Sequence, residues 1–343
     1  MKLCRVGMIL MTVSAVAGRC VAAEEAGSGT SPAKSAQGSL EIVFSADRDG
    51  GWDFYRMGVD GSHVTPVTTM RSAAELWGHC SAINHKLVYV EKGSGIHVMG
   101  LEVGGKTAHL MKDENNVFIH PACATDESIL TLVKNEKTPE GATSGIIMVN
   151  PKTFEITPVM KQDGRQIDPV WFHKSKQMLY VHVLDGPKKG SEFWVVPADG
   201  TEAVLIAASN YSAMQPDISP DDRLVVFASN RSGPCNLWLM DADGTGLKQL
   251  TFGKGNDTEP KWSPDGKSVL FVSDQDGHRH LYVVSADGND VKQLTQGAFD
   301  CAGPNWHMRP PKTDESASSP KGAEPDSGAA VNPNVSEGKA QNQ

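Results

Sequence analysis

Polar residues recur at one position of a repeated segment in this sequence. This position directly precedes a short stretch that begins with proline in most copies. Glu259, for example, precedes Pro260-Lys261-Trp262. The same position in the other copies holds Ala74, His120, Asp168, Gln215 and Gly303. Carboxylates that converge with an imidazole can bind a cation or a basic group of a partner. We therefore predict a binding site formed by His120, Asp168, Gln215, Glu259 and the nearby Asp257. The alternative is that these are solvated polar groups around a water-filled opening.

Other candidates for chemistry fail on their spacing. Asp47-Arg48-Asp49-Gly50 and Asp274-Gln275-Asp276-Gly277 begin like calcium loops, but Arg56 and Val283 stand where such a loop needs glutamate. We interpret both segments as hairpin turns. The sequence also has no Gly-x-Ser-x-Gly motif for a nucleophilic serine. It therefore predicts no cofactor and favours a non-catalytic protein, although it leaves catalysis open.

The candidate residues are carried by an internal repeat. Asp-Gly pairs at 199–200, 243–244 and 287–288 are 44 residues apart, and weaker copies of this turn precede them. A period in the forties is typical of a propeller blade, which has four short strands. Each period starts with the proline segment and continues with an apolar run such as Val269-Leu270-Phe271-Val272. No helical periodicity of useful length appears in the repeats.

The first and last copies of the repeat are complementary. The chain enters the repeat at an apolar run, Ile42-Val43-Phe44, and its last copy, from Pro304, contains only the proline strand. We expect this last strand to pair beside the strand that starts near Ile42, because an open ring would leave strand edges prone to aggregation. The sequence thus predicts an all-β fold, a closed six-bladed β-propeller of four-stranded antiparallel blades over residues 40–309.

The two ends of the chain differ from the repeat in composition. Lys2 and Arg5 flank the start of an apolar stretch, and Val21-Ala22-Ala23 matches a cleavage site, so residues 1–23 are predicted to be a signal peptide. Residues 24–39 are predicted to be a flexible linker, and residues 310–343, rich in Pro, Ser and Lys, a disordered tail. We therefore expect a periplasmic or secreted protein.

Net charge and cysteine content limit the partners and the covalent links. A formal charge of -9 disfavours nucleic acid and anionic membrane surfaces as partners. Beyond the apolar stretch at the N-terminus, no segment is apolar for long enough to span a bilayer. Four cysteines follow the predicted cleavage site: Cys80, Cys123, Cys235 and Cys301. An even number permits two disulfides in an oxidising compartment, and free thiols are the alternative.

Two segments, EPKWSPDGKSVLFVS at 259–273 and LWLMDADGTGLKQLT at 237–251, resemble the repeats of the TolB-like propeller family. The resemblance covers roughly residues 40–309. It implies a protein-binding platform, on which a partner such as the peptidoglycan-associated lipoprotein Pal docks over one face near the central channel. TolB carries an α/β domain before its propeller. Because only about sixteen residues separate the predicted cleavage site from Leu40, we expect that domain to be missing here.

The same repeat is also found in oligogalacturonate lyases and in the propeller halves of prolyl-oligopeptidase-like enzymes, so the resemblance does not determine function. Our interpretation is a monomeric, non-catalytic, envelope-associated scaffold with a protein partner, for which a Pal-like lipoprotein is the candidate. The alternative is a metal-assisted polysaccharide lyase or hydrolase that acts at the channel mouth. Such a lyase would hold its metal with several channel histidines, and His120 alone occupies a predicted channel position.

Overall fold

The computed structural model describes residues 38–309 apart from 71–76, 81–85, 92–94, 102–106, 112–116, 139–140, 154, 160–163 and 185–188. The predicted signal peptide, the predicted tail and most of the predicted linker lie outside the described residues. Within them, the regular secondary structure is β-strand, as the repeat predicts. Among these residues there is no helix with the length and apolar character that crossing a membrane requires.

The strands group into four-stranded antiparallel units, numbered here in chain order. The first three units contain β1 (Ser39–Ala46), β2 (Asp53–Gly58) and β3 (Thr65–Pro66); β4 (Trp77–Cys80), β5 (Lys86–Glu91), β6 (Gly95–Gly100) and β7 (Thr107–Met111); and β8 (Val117–Cys123), β9 (Leu130–Thr138), β10 (Gly141–Val149) and β11 (Ile156–Pro158). The next three contain β12 (Arg165–Trp171), β13 (Gln177–Leu184), β14 (Gly190–Pro197) and β15 (Val204–Ser209); β16 (Ala213–Ile218), β17 (Leu224–Ser229), β18 (Asn236–Asp241) and β19 (Lys248–Gln249); and β20 (Asp257–Trp262), β21 (Ser268–Ser273), β22 (His280–Ser285) and β23 (Val291–Gln293). The last strand, β24 (Cys301–Arg309), joins the first unit.

Strand order within a unit follows the chain, and each strand pairs with the next in antiparallel fashion. The third and fourth units are joined into one eight-stranded sheet by a single parallel bridge between Ser144 and Arg165. The second strand of a unit reads as a continuous apolar run, such as Val269 to Val272, because both of its faces are covered. The hydrophobic core therefore lies between units as well as within them.

The last described strand, β24, completes the first unit. This pairing is the one that the sequence predicts. β24 runs antiparallel to β1, with Ile42 opposite Trp306 and Val43 opposite Asn305. The Ser45 hydroxyl donates to the Ala302 carbonyl at 3.1 Å, and the Asp300 N–H donates to the Asp47 carboxylate at 2.7 Å. The first unit thus takes its innermost strand from the C-terminal part of the described chain.

Each consecutive pair of units shares an apolar cluster. Phe54 of the first unit packs with Tyr89 of the second, and corresponding clusters join the second to third, third to fourth, fourth to fifth and fifth to sixth units. A further cluster joins the sixth unit to the first, where Leu270 packs with Ile42 and Phe44. Aromatic residues of the third strands lie in or against these clusters: Tyr55, Trp194, Trp238 and Tyr282.

The cysteines whose side chains the structure describes form no disulfide bonds. Cys123, Cys235 and Cys301 are free thiols, and the side chain of Cys80 lies outside the described residues. Burial raises the pKa of Cys301 to about 12 and that of Cys123 to about 12, so both thiols stay protonated at neutral pH. Of the alternatives that the sequence left open, the free thiol holds for these three cysteines.

Candidate functional site

Each of five innermost strands carries one residue with a left-handed backbone, directly before its proline. The φ angles are 50° at His120, 52° at Asp168, 53° at Gln215, 54° at Glu259 and 56° at Gly303. We call these five residues the channel positions. In β20, Glu259 and Pro260 together face one residue of β21, since Thr258 pairs with Val272 and Lys261 with Leu270. This is a β-bulge, which re-aims a side chain out of the regular alternation.

A left-handed conformation costs a non-glycine residue about 1–2 kcal/mol, and hydrogen bonds between units offset that cost. The Gln215 N–H donates to the Asp168 carboxylate at 2.7 Å, and the Glu259 N–H donates to the Gln215 side-chain oxygen at 3.1 Å. The Gly303 N–H in turn donates to the Glu259 carboxylate at 2.6 Å. The side chains of Asp168, Gln215 and Glu259 therefore each hold the backbone of the next innermost strand.

His120 and Asp168 form a charged pair between the third and fourth units. Nδ1 of His120 lies 2.5 Å from Oδ1 of Asp168, whose side chain is only 6% exposed. Burial works to lower the pKa of His120, but the charge of Asp168 and its hydrogen bond outweigh burial and raise it. Burial likewise works to raise the pKa of Asp168, but His120 and the Gln215 N–H outweigh it and lower that pKa. Both shifts favour the ion pair.

The channel positions surround a cavity of about 240 Å³ that all the innermost strands line. The prolines that follow the channel positions contribute an apolar band: Pro121, Pro169, Pro216, Pro260 and Pro304. A second polar layer lies two residues beyond the channel positions, where Lys261 pairs with Asp217 at 3.2 Å and Asn305 donates to the Gly78 carbonyl at 3.0 Å. The equivalent residues of the third and fourth units are Ala122 and Val170, so one wall of this layer is apolar.

A match to a family model shows to which protein family this chain belongs. The model, described as the TolB beta propeller domain, matches residues 129–312, which is more than half of the chain. The chain belongs to this family. No curated protein sequence is significantly similar to it.

Solved structures with the same fold are distant in sequence. TolB from Acinetobacter baumannii matches with a TM-score of 0.66 and 14% identity over 78% of this chain and 66% of that one. A protein described as TolB from Agrobacterium tumefaciens matches with a TM-score of 0.60 and 17% identity over 76% and 89%. An oligogalacturonate lyase in complex with manganese matches with a TM-score of 0.54 and 17% identity over 74% and 73%. At such identities the likeness extends to the TolB-like propeller fold and leaves function undetermined.

In this propeller, four of the five residues predicted for the site, His120, Asp168, Gln215 and Glu259, lie around the cavity. Asp257 does not line it. It is buried, with the residue 3% exposed. Strict strand alternation would put Asp257 and Glu259 on one face, but the bulge at Glu259 turns only the later residue into the channel. Whether the four residues bind a partner stays a prediction.

The second unit departs from the predicted alignment. The sequence matched Trp77 to Trp262 and so put Ala74 at a channel position. In the structure Cys80 pairs with Leu87, as Trp262 pairs with Val269, and the strand pairing runs without a bulge from Trp77 to Cys80. Gly78 of this strand lines the cavity. The alignment was wrong by three residues, because it followed a tryptophan that has no preceding proline.

The second polar layer was missed by the sequence argument. Lys261, Asp217 and Asn305 each directly follow the proline of their innermost strand, and this recurrence of polar residues is the signal that could have identified them. In the described ranges, no three His, Cys, Asp or Glu side chains are grouped so that they could hold a metal ion. His173 does line the same cavity as His120, with its Nε2 3.0 Å from the Ile218 carbonyl oxygen.

Proposed function

We propose that this protein is an exported, non-catalytic scaffold that binds a protein partner at the mouth of its central cavity. The observation that carries the proposal is the cavity itself, which all the innermost strands line and where bonds between units hold the side chains of Asp168, Gln215 and Glu259. Side chains held in this way lose little freedom on binding, so their contacts convert into affinity with less entropic cost. Export rests on the predicted signal peptide at residues 1–23.

The proposed architecture is a closed ring of six blades. Three features support it: the pairing of β24 with β1, the circuit of shared apolar clusters, and contacts from each innermost strand to the next, including β24 to β4. A closed ring fixes the positions of the innermost strands relative to one another. It would therefore give the partner a rigid, concave docking surface.

The charges around the cavity suggest the chemistry of the partner. Among the residues that the structure describes, the lining carboxylates are Glu127, Asp168, Asp217 and Glu259, the lining lysine is Lys261, and His120 is paired with Asp168. The cavity is thus acidic within an acidic chain, and we expect a partner with Lys or Arg at the contact. By resemblance to TolB, a Pal-like peptidoglycan-associated lipoprotein is the candidate, and the cell envelope is the expected location.

Val170 offers the test because it lines the cavity and makes no polar bond between units. Val170→Lys puts bulk and positive charge into an acidic cavity, so recovery of the partner from envelope extract should fall at least ten-fold. Val170→Glu adds similar bulk with the opposite charge and should lower the recovery of the partner by less. Val204→Lys, on exposed β15, is the control and should leave recovery unchanged. Thermal melts of all variants verify that the fold survives.

Equal recovery by Val170→Lys and the wild type would remove the cavity as the docking site. Recovery by the wild type should also weaken as salt rises, since screening acts on exposed charges. Turnover of an acidic polysaccharide by the purified protein, abolished by a chelator, would replace the scaffold with the metal-assisted lyase or hydrolase.

A further inference from the structure

On the face formed by the turns between first and second strands, the central cavity adjoins a second cavity. The second cavity lies between the third and fourth units and shares Ala124, Thr125, Trp171 and His173 with the lining of the central one. We call this second cavity the side groove. It places an open path next to the channel mouth, from the ring centre towards the rim.

The fourth-unit turn beside the side groove is bonded to the turn of the fifth unit. Asp222, in the turn of the fifth unit, accepts the His173 N–H at 2.7 Å and the Lys174 N–H at 2.8 Å, so the turns of the fourth and fifth units interlock. Between the turns of the third and fourth units, Thr125 donates to the Phe172 carbonyl at 3.4 Å and Lys176 lies 3.4 Å from Asp126. The second of these is an exposed ion pair, worth about 0–1 kcal/mol.

The side groove has an apolar floor and a charged rim. Its floor includes Ile129, Trp171 and Phe172, and its fourth-unit rim carries Lys174 and Lys176. The Lys174 ammonium donates to a backbone carbonyl, that of Asp221, at 3.4 Å, so this contact does not balance its charge. Asp126 on the opposite rim offsets one lysine. The lining of the side groove thus has two lysines and one carboxylate, in a chain whose formal charge is -9, while the Asp222 carboxylate beside it accepts the Lys174 backbone N–H.

We propose that the side groove binds an extended peptide segment of the partner, with an apolar side chain on the floor and an acidic side chain against Lys174 and Lys176. The inference rests on the proposed function, because the segment would lead out of the partner's contact with the channel mouth. An extended chain suits a narrow path between two turns, and alternate side chains of such a chain point to opposite sides. The partner is then basic at the channel and acidic beside it.

Site-specific photocrosslinking distinguishes the groove from the channel. A benzophenone amino acid replaces Ser175, on the rim of the side groove, or Glu127, which lines only the central cavity of the two. A third protein carries it at Lys248 on β19 as the control. Each protein is irradiated in envelope extract, and the crosslinked peptides are identified by mass spectrometry. We expect one partner at both 127 and 175, with an apolar residue beside Asp or Glu in the peptide joined to 175.

Charge reversal tests the chemistry of the rim. Lys174→Glu with Lys176→Glu should lower the yield of crosslink at 175 at least five-fold, whereas Lys174→Arg with Lys176→Arg should keep it. Crosslinks at 127 but not at 175 would overturn the groove and leave the proposed function standing. Crosslinks at neither position would remove both. A crosslink from 175 to a second copy of this chain, or to a segment without an acidic residue, would refute the proposed occupant.

Discussion

Replacing Asp168 by asparagine removes one buried charge from the channel while keeping the size of the side chain and its tolerance of the left-handed backbone. The amide oxygen can still accept the Gln215 N–H. This bond changes from charge-assisted to neutral, which costs about 1 kcal/mol. Removing a partner from a buried ion pair costs about 3–5 kcal/mol when the other charge is trapped. His120 can instead release its proton. We therefore expect Asp168→Asn to lower the free energy of unfolding by about 2–3 kcal/mol in total at pH 6.

The pH dependence separates the ion pair from simple packing. The folded-state pKa of His120 is raised, so its contribution to stability is complete below the unfolded pKa of about 6.5 and is lost as pH rises through the folded value. The pKa of Asp168 is lowered, so its contribution is present above about 3.9 and is lost as pH falls through the folded value. The gap in the free energy of unfolding between wild type and Asp168→Asn should therefore be widest near pH 5–6.5 and shrink to about 1 kcal/mol at pH 9.

Urea unfolding followed by tryptophan fluorescence at pH 6 and pH 9 measures both gaps. A double-mutant cycle with His120→Asn isolates the coupling, since asparagine also tolerates the left-handed backbone. Asp290→Asn, at an exposed position, is the matched control for loss of one carboxylate. A gap of equal size at pH 6 and pH 9, or a coupling near zero at pH 6, would show that the pair does not join the third and fourth units as argued.

Two further predictions address the packing between units and the closure of the ring. Gly244 and Gly277 both have positive φ, 87° and 92°, but a Cβ on Gly244 would collide with the Ile206 carbonyl oxygen of the preceding unit, whereas one on Gly277 meets nothing within 4 Å. Gly277→Ala should cost about 1–2 kcal/mol in urea unfolding and Gly244→Ala about 1–3 kcal/mol more, so equal costs would contradict contact between these units. A chain that ends before Asp300 loses β24 and exposes the edge of β1, so it should aggregate or unfold without cooperativity in calorimetry. A chain that ends after Arg309 keeps every described strand, and identical melts for the two truncations would refute the closed ring.

The sequence located the innermost strands through proline. Proline fixes its own backbone and lacks an N–H, so it marks the same place in each repeat. That signal was sufficient to bring His120, Asp168, Gln215 and Glu259 to one cavity. It did not reveal the sign of φ before the proline, so the bulge, and with it the exclusion of Asp257, could not be derived. In the second unit there is no proline, and only strand pairing placed Gly78 in the cavity.

The bonds at the channel positions bear on which residues can determine partner choice. Asp168 and Glu259 hold the backbones of neighbouring strands, so substitutions there weaken the ring whatever the partner is. A binding defect in such a variant would not distinguish contact from loss of structure. Val170 and the side groove are less constrained, since Val170 makes no polar bond between units and Lys174 and Lys176 lie on the exposed rim. Specificity that changes between relatives without loss of the fold should therefore reside in these outer residues. The channel positions would then set the shape of the cavity that all such partners enter.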